Sequence, residues 1–398
     1  MKPQLRTLEG QNLMDLETPT TIIGICSPQD SLNTTAVYVE YGNPDDIPSI
    51  YSGIRTGLSL ENHLIYRPPL VFNNKEIHSS LRTIYTDSKW LNEPHFVGSY
   101  SIDQYVYFFF RETAVESDGC GKMVYSRVAR VCKNDLGGKN VLKQVWSSFV
   151  KARLNCSISS PFPYYFDHIQ SVYKVDSETD SHFYATFTTT DGPFVASALC
   201  AFSLNHINQI FDNGVFLEQP TLSSLWVQTQ PDQIPGTRPG TCVANTHSLT
   251  DAELHFAKSH LLMADAIPGG EPIIYRKDEI FTKMVADQKD DSTVVLFIQV
   301  ANKQKLLKIL HSRERSFFGQ GRILAEYQLL DNEKIHAISI LPNEYLFVAD
   351  EKRVSQYRLG QCPLHNECVS CASDPYCSWN IARSECFAQE TVHSTAVG

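Results

Sequence analysis

Apolar residues along this chain come in short bursts separated by polar turns, not in helical stripes. In HFVGSYSIDQYVYFFFRETAVESDGCGKMVYSRVARVC, beginning at His95, a mixed stretch, a continuous apolar run and an interleaved stretch follow one another. Tyr105 to Phe110 lacks a polar face and predicts a strand buried on both sides, while Val124 to Val131 interleaves apolar residues with Ser126, Arg127 and Arg130. The same three-part pattern returns from Ile169 (IQSVYKVDSETDSHFYATFTTTDGPFVASALCAFSL), from Phe281 (FTKMVADQKDDSTVVLFIQVANKQKLLKIL) and from His336 (HAISILPNEYLFVADEKRVSQYRL). An earlier copy is expected at TTIIGICSPQDSLNTTAVYVEY, from Thr20. Starts near 95, 168, 281 and 336 fit a repeat of about 50 residues with insertions, the widest gap holding two units.

Antiparallel units of this size cannot each bury both faces, so they stack or close into a ring, and a β-propeller is the simplest solution. WD40 and Kelch signatures and the aspartate boxes of sialidases are missing. Two stretches read as helical packing insertions. NVLKQVWSSFVKARL gathers Leu142, Val145, Trp146 and Phe149 on one helical face, and TDAELHFAKSHLL opens with Thr250 and Glu253 in capping-box spacing.

Charge and cysteine usage narrow the function classes. With 44 acidic against 34 basic side chains among 398 residues, the net charge of −10 repels a phosphate backbone, so nucleic acid is not the expected partner. No apolar run approaches the roughly 20 residues of a membrane helix. MKPQLRTLEGQNLMDLE has no apolar signal core, so any such leader is expected to lie outside this numbering. Eleven cysteines and two Asn-x-Ser/Thr sequons, at Asn33 and Asn155, indicate an oxidising, secretory compartment with glycosylation at those asparagines.

Catalytic signatures are absent: no phosphate-binding loop, no His-Glu-x-x-His and no nucleophile elbow. No catalytic residue, metal or cofactor is implied, and the chain does not read as an enzyme. GQGRIL at Gly319 has no βαβ frame and predicts a hairpin turn. His255 and His260, five apart on a helix, do not share a metal, and Asp290 with Asp291 reads as turn chemistry. The basic run at Lys303, Lys305, Lys308, Arg313, Arg315 and Arg322 offers either a heparin-like contact or an ordinary solvated strand, the second being favoured.

The C-terminal CPLHNECVSCASDPYCSWN, Cys362 to Asn380, admits three readings. Zinc needs more paired ligands than one Cys-x-x-C and His365 supply, and a thioredoxin-like motif needs a βαβ frame. A disulfide-stapled knob packed around Tyr376 and Trp379 is favoured, since some 30 residues cannot form an adequate core unaided.

Several of these stretches together resemble one family. SKWLNEPHFVGSY, YVYFFFRE, GKMVYSRVARVCKND, FVKARLNCS, SALCAFSL and RPGTC are similar, in order, to the signature stretches of the semaphorin sema domain, and CVSCASDPYCSWN resembles the plexin-semaphorin-integrin (PSI) knob that follows it. The resemblance implies an all-β fold, a seven-bladed β-propeller over 1–360 followed by a small truncated cysteine-rich knob over 361–390 and a tail over 391–398; about six repeat units can be counted directly. It also implies disulfides Cys132 to Cys242, Cys156 to Cys200, Cys362 to Cys377 and Cys371 to Cys386, leaving Cys26, Cys120 and Cys368 without family partners.

The outline, ending inside the knob, is similar to the compact secreted poxvirus semaphorins that engage the host C-type plexin. The implied function is that of a secreted homodimeric ligand that binds a plexin sema domain and alters adhesion, migration or immune response; the alternative is a fragment of a sema-domain receptor. No Arg-Gly-Asp is present, so integrin binding is not expected. Family complexes place the receptor on a short helix after the SALCAFSL strand, which implicates Asn205, His206, Gln209, Ile210 and Phe211. The nearby SPFPYYFDHIQ adds Phe162, Tyr164, Tyr165 and Phe166 as aromatic anchors, core packing being the competing assignment for each apolar residue.

Overall fold

A computed structural model describes residues 33–56, 61–117, 121–189, 195–221, 223–313, 321–329 and 334–388. The chain divides into two compact units, one of Met1–Cys120, Ala129–Lys151 and Phe216–Leu262, the other of Gly121–Val128, Ala152–Val215 and Met263–Gly398.

In the first unit, Thr35–Val39, Ser49–Thr56, Asn62–Arg67 and Leu81–Arg82 form a four-stranded antiparallel sheet. His95–Ile102 and Tyr105–Thr113 pair next, and the strand Val124–Cys132 that follows them has its Ala129–Cys132 part in this unit. Val106 through Phe110 are buried without exception, as their two-sided apolarity requires. The interleaved strand departs from expectation, because its polar positions are also buried. Arg130 lies 4.0 Å over the Tyr105 ring and donates to the Gly240 carbonyl at 3.2 Å, which satisfies a charge that alternation alone would assign to solvent.

The expected helix at 140–154 is not formed. Its apolar residues Leu142, Trp146 and Phe149 are buried, yet Leu142 and Gln144 have positive φ and Val150–Asn155 is a strand. The local hydrogen bonds go elsewhere: the Trp146 N–H reaches the Arg82 carbonyl at 3.2 Å, and the N–H groups of Ser147 and Ser148 reach the buried Asp135 carboxylate, both at 2.9 Å. Tertiary acceptors therefore outcompete the i−4 ladder. The other insertion is helical as expected, Asp251–Ser259, with its capping box closed between Thr250 and Glu253.

The second unit carries three further meanders, all antiparallel. His168–Val175, His182–Thr188 and Ala196–Ser203 are joined by Ile274–Lys277; Phe281–Gln288, Thr293–Val300, Lys305–Ser312 and Arg322–Gln328 form the next; Ala337–Leu341, Tyr345–Ala349 and Val354–Arg358 the last. The widest gap does not hold a second complete meander among the described residues. It holds Leu204–Asn213, the Asp251–Ser259 helix and several two- or three-residue strands that join the sheet of Val150–Asn155, while Ile274–Lys277 returns to Ala196–Ser203. Gly321, from GQGRIL, leads directly into Arg322–Gln328.

The cysteine-rich knob consists of a turn at Cys362–Leu364, a short helix Cys368–Ala372 and a hairpin of Cys377–Asn380 with Glu385–Ala388. Its core is continuous with that of the neighbouring strands, Tyr376 and the four bonded cysteines packing with Phe297, Leu346 and Val348. A buried lysine ties the two together: Lys308 Nζ reaches both Asp374 oxygens, at 2.7 and 2.6 Å, and the Leu359 carbonyl at 2.8 Å. Tyr376 donates to Asp287 at 2.6 Å, and burial beside that carboxylate pushes its hydroxyl pKa far up.

Candidate functional site

The disulfides come first, because they consume the chemistry that the cysteines otherwise offer. Cys132–Cys242, Cys156–Cys200, Cys362–Cys377 and Cys371–Cys386 are closed, and Cys368 carries a free, exposed thiol. Cys26 and Cys120 lie outside the described residues. His365 and Asp374 stand beside Cys377, but that sulfur is in a disulfide and Asp374 is held by Lys308, so this group is an ion-paired support and not a thiolate metal site. Closing each loop contributes about 2–4 kcal/mol in the chain-entropy account.

Other candidate groups are structural too. Asp290 accepts from the Ser292 and Thr293 N–H groups at 2.8 and 2.7 Å, an Asx turn. His260 stacks on Phe256 at 3.6 Å and meets Glu218 at 3.0 Å, while His255 is exposed. Among the described residues the basic run does not form a continuous cationic face: Lys303 and Lys305 both pair with Glu279, Lys305 also with Glu326, and Lys308 is buried. Arg315 lies outside the described residues, and Arg322 is exposed.

What remains is a surface in the second unit, built around the helix Leu204–Asn213. Ser203 caps it, accepting from the His206 N–H at 3.1 Å and donating to Asp180 Oδ2 at 2.5 Å, while the other Asp180 oxygen takes the Asn205 N–H at 3.1 Å. A carboxylate at a helix N-terminus is matched to the dipole there. Leu204, Ile207 and Phe211 face inward, so Asn205, His206 and Gln209 face outward and Ile210 sits half-buried between the two faces. Phe211 is fully buried, which corrects its assignment as a contact residue: it anchors the helix instead.

Beside the helix runs Ile267–Pro268, paired in parallel with Leu154 and Asn155, and beyond it the hairpin of Ser157–Ile158 with Tyr164–Tyr165. The Ser159 N–H is held by Glu271 at 3.0 Å. Phe162, at 89% exposure, stands at the hairpin tip, with Tyr164 and Tyr165 partly exposed. Phe166 is buried and packs edge-on under Tyr164, a second correction to the expected contact set. Arg153 stacks 3.7 Å over Tyr125 and pairs with Asp167 at 3.0 Å; burial raises the Asp167 pKa, and Arg153 opposes that shift. Asn33 and Asn155, the sequon residues, are both half-buried.

Between the helix and the 265–268 segment lies a groove of about 380 Å³ lined by His206, Gln209, Ile210, Asn213, Gly214, Asp265 and Pro268. Sequence reasoning missed Asp265 and Pro268, which are some 60 residues from the helix in sequence and carry no motif. Elsewhere in the second unit, His311 lies 3.0 Å from the Tyr184 hydroxyl, its pKa lowered to about 4 by burial, with Arg313 and His182 adding to the shift.

The profile of the Sema domain matches residues 169–342. Semaphorin-2A of Drosophila melanogaster is 40% identical over 370 residues, covering 90% of this chain and 51% of the relative. The solved structure of Drosophila Semaphorin 2a superposes with a TM-score of 0.83 at 40% identity, over 90% of this chain and 59% of that one. The chain belongs to the semaphorin family. In the solved complex of Drosophila Plexin A with Semaphorin 1b, a chain 32% identical to this semaphorin matches with a TM-score of 0.77, over 91% of this chain and 72% of that one. The fold class is thus the all-β sema-domain propeller, followed by a cysteine-rich PSI-like segment. This semaphorin spans about half the length of the curated relative it matches. Among the described residues, no helix is long and apolar enough to cross a membrane.

Proposed function

We propose that this semaphorin is a secreted, non-enzymatic ligand that binds the sema domain of a plexin and modulates its signalling, with effects on adhesion, migration or immune response. The observation that carries the reading is the outward face of Leu204–Asn213 with its adjoining groove: exposed Asn205, His206 and Gln209 stand on a helix rigidly capped from Asp180 and anchored by Phe211. A pre-organised helix loses little entropy on docking, which suits it to recognition. Membership of a family with a member in complex with a plexin supports the choice of partner.

Identity of 40% to a semaphorin favours a ligand over a receptor fragment. The exposed Phe162, Tyr164 and Tyr165 extend the surface, and homodimerisation would add avidity to a modest single-site affinity. The sharper reading is a compact virus-type ligand for a C-type plexin.

Surface-plasmon binding of the full chain to a panel of immobilised plexin ectodomains tests both levels. Binding to one or more plexins, weakened at least tenfold by His206→Glu or Gln209→Arg with an unchanged melting curve, supports the site. Preference for the C-type receptor supports the sharper reading; absence of binding to every plexin overturns the function.

A further inference from the structure

The groove beside the helix is electrostatically one-sided. Asp265 is exposed on its wall and, among the described residues, has neither an ion pair nor a hydrogen bond. It lies near the C-terminal end of Leu204–Asn213, where the final carbonyls carry the negative pole of the helix dipole. That last turn contains no basic residue, although a lysine or arginine is the usual complement there. No lysine or arginine lines the groove. The side-chain amides of Gln209 and Asn213 add two acceptor oxygens, and Ile210 and Pro268 supply apolar wall.

We propose that this groove receives a basic side chain of the protein partner, arginine by preference. The inference rests on the edge-surface reading above. A guanidinium carries five donors in a planar fork and meets a carboxylate, two amide oxygens and helix-end carbonyls together, while its methylene stem lies along Ile210 and Pro268. A lysine ammonium fills the charge but fewer of the acceptors. An acidic or purely apolar partner residue would leave Asp265 uncompensated or desolvated, so the groove also selects against such partners. Gly214, at the end of the groove, leaves no room for a side chain: a Cβ there would stand 2.5 Å from the Ile210 carbonyl oxygen and 3.0 Å from Met263 Cε.

The test measures affinity for a plexin ectodomain that the unmodified chain binds, using Asp265→Asn, Asp265→Glu and Gln209→Arg in surface-plasmon runs at several NaCl concentrations. Asp265→Asn is expected to weaken binding about tenfold and to flatten its salt dependence, while Asp265→Glu stays within about threefold. Gln209→Arg, which places a competing cation in the groove, is expected to weaken binding by at least tenfold. If Asp265→Asn binds as the unmodified chain does while Gln209→Arg still abolishes binding, the charge inference falls and the edge-surface reading stands. If neither substitution changes affinity, both fall. Because Asp265 is exposed and unpaired, its variants are expected to melt as the parent does, and a melting curve for each confirms it.

Discussion

Two short helices, Leu204–Asn213 and Asp251–Ser259, start from nearly the same local chemistry and serve different ends. Each is capped by a hydroxyl that accepts the N3 N–H, Ser203 in one and Thr250 in the other. The second closes its cap within itself, Glu253 returning to the Thr250 N–H at 2.8 Å, and carries Lys258 in its last turn. It is electrically complete, and Leu254 and Ala257 hold it in the first unit's core. The first borrows its cap support from Asp180, a residue of another loop, and leaves its C-terminal end without a cation. A helix whose dipole is answered locally needs no partner; one whose negative end faces a groove with an unpaired carboxylate has something left to bind.

The largest test of this contrast removes the anchors. Phe211→Ala is expected to destabilise the fold by about 3–5 kcal/mol and Leu254→Ala by about 2–5, in denaturant melts, because both side chains are fully or almost fully buried. If Phe211→Ala were nearly neutral, the first helix would be a loosely attached appendage and its outward face could not be pre-organised.

Acid is expected to act through the buried His311 beside Tyr184. His311 has its pKa lowered to about 4, so between the unfolded value near 6.5 and about 4 the unfolded chain binds a proton that the folded chain refuses. Its contribution is fully present above pH 6.5 and is lost as pH falls toward 4, by about 3 kcal/mol in the limit. Unfolding free energies measured across that window should show the decline, and His311→Gln should flatten it. An unaltered slope in that variant would place the titrating group elsewhere.

The caps come next. Thr250→Ala should cost about 1 kcal/mol, and Ser203→Ala somewhat more, up to about 2, because it also deprives Asp180 of a donor. Equal losses would erase the distinction between a self-sufficient cap and a borrowed one. The smallest stability effect is expected from His206→Glu, within about 0.5 kcal/mol, since that side chain is exposed. Its effect should appear in plexin affinity instead.

Hydrophobic periodicity alone located the strands beginning near 95, 168, 281 and 336, because a two-sided apolar run and a period of two leave few alternatives. The capping box was equally legible, being a contact between residues three apart. Residue motifs carried the family, and with it the four disulfides that the folded chain closes. Tertiary structure decided the rest. It straightened 150–155 into a strand by offering Asp135 and the Arg82 carbonyl as better acceptors for the preceding turn, and it buried Arg130 by supplying Tyr105 and Gly240. Within one helix it turned Phe211 inward and Gln209 outward, and it brought Asp265 alongside them from far down the chain. Local pattern determines what a segment can become, since turn chemistry and periodicity act over a few residues; which face meets solvent, and which distant charge meets it there, depends on long-range packing.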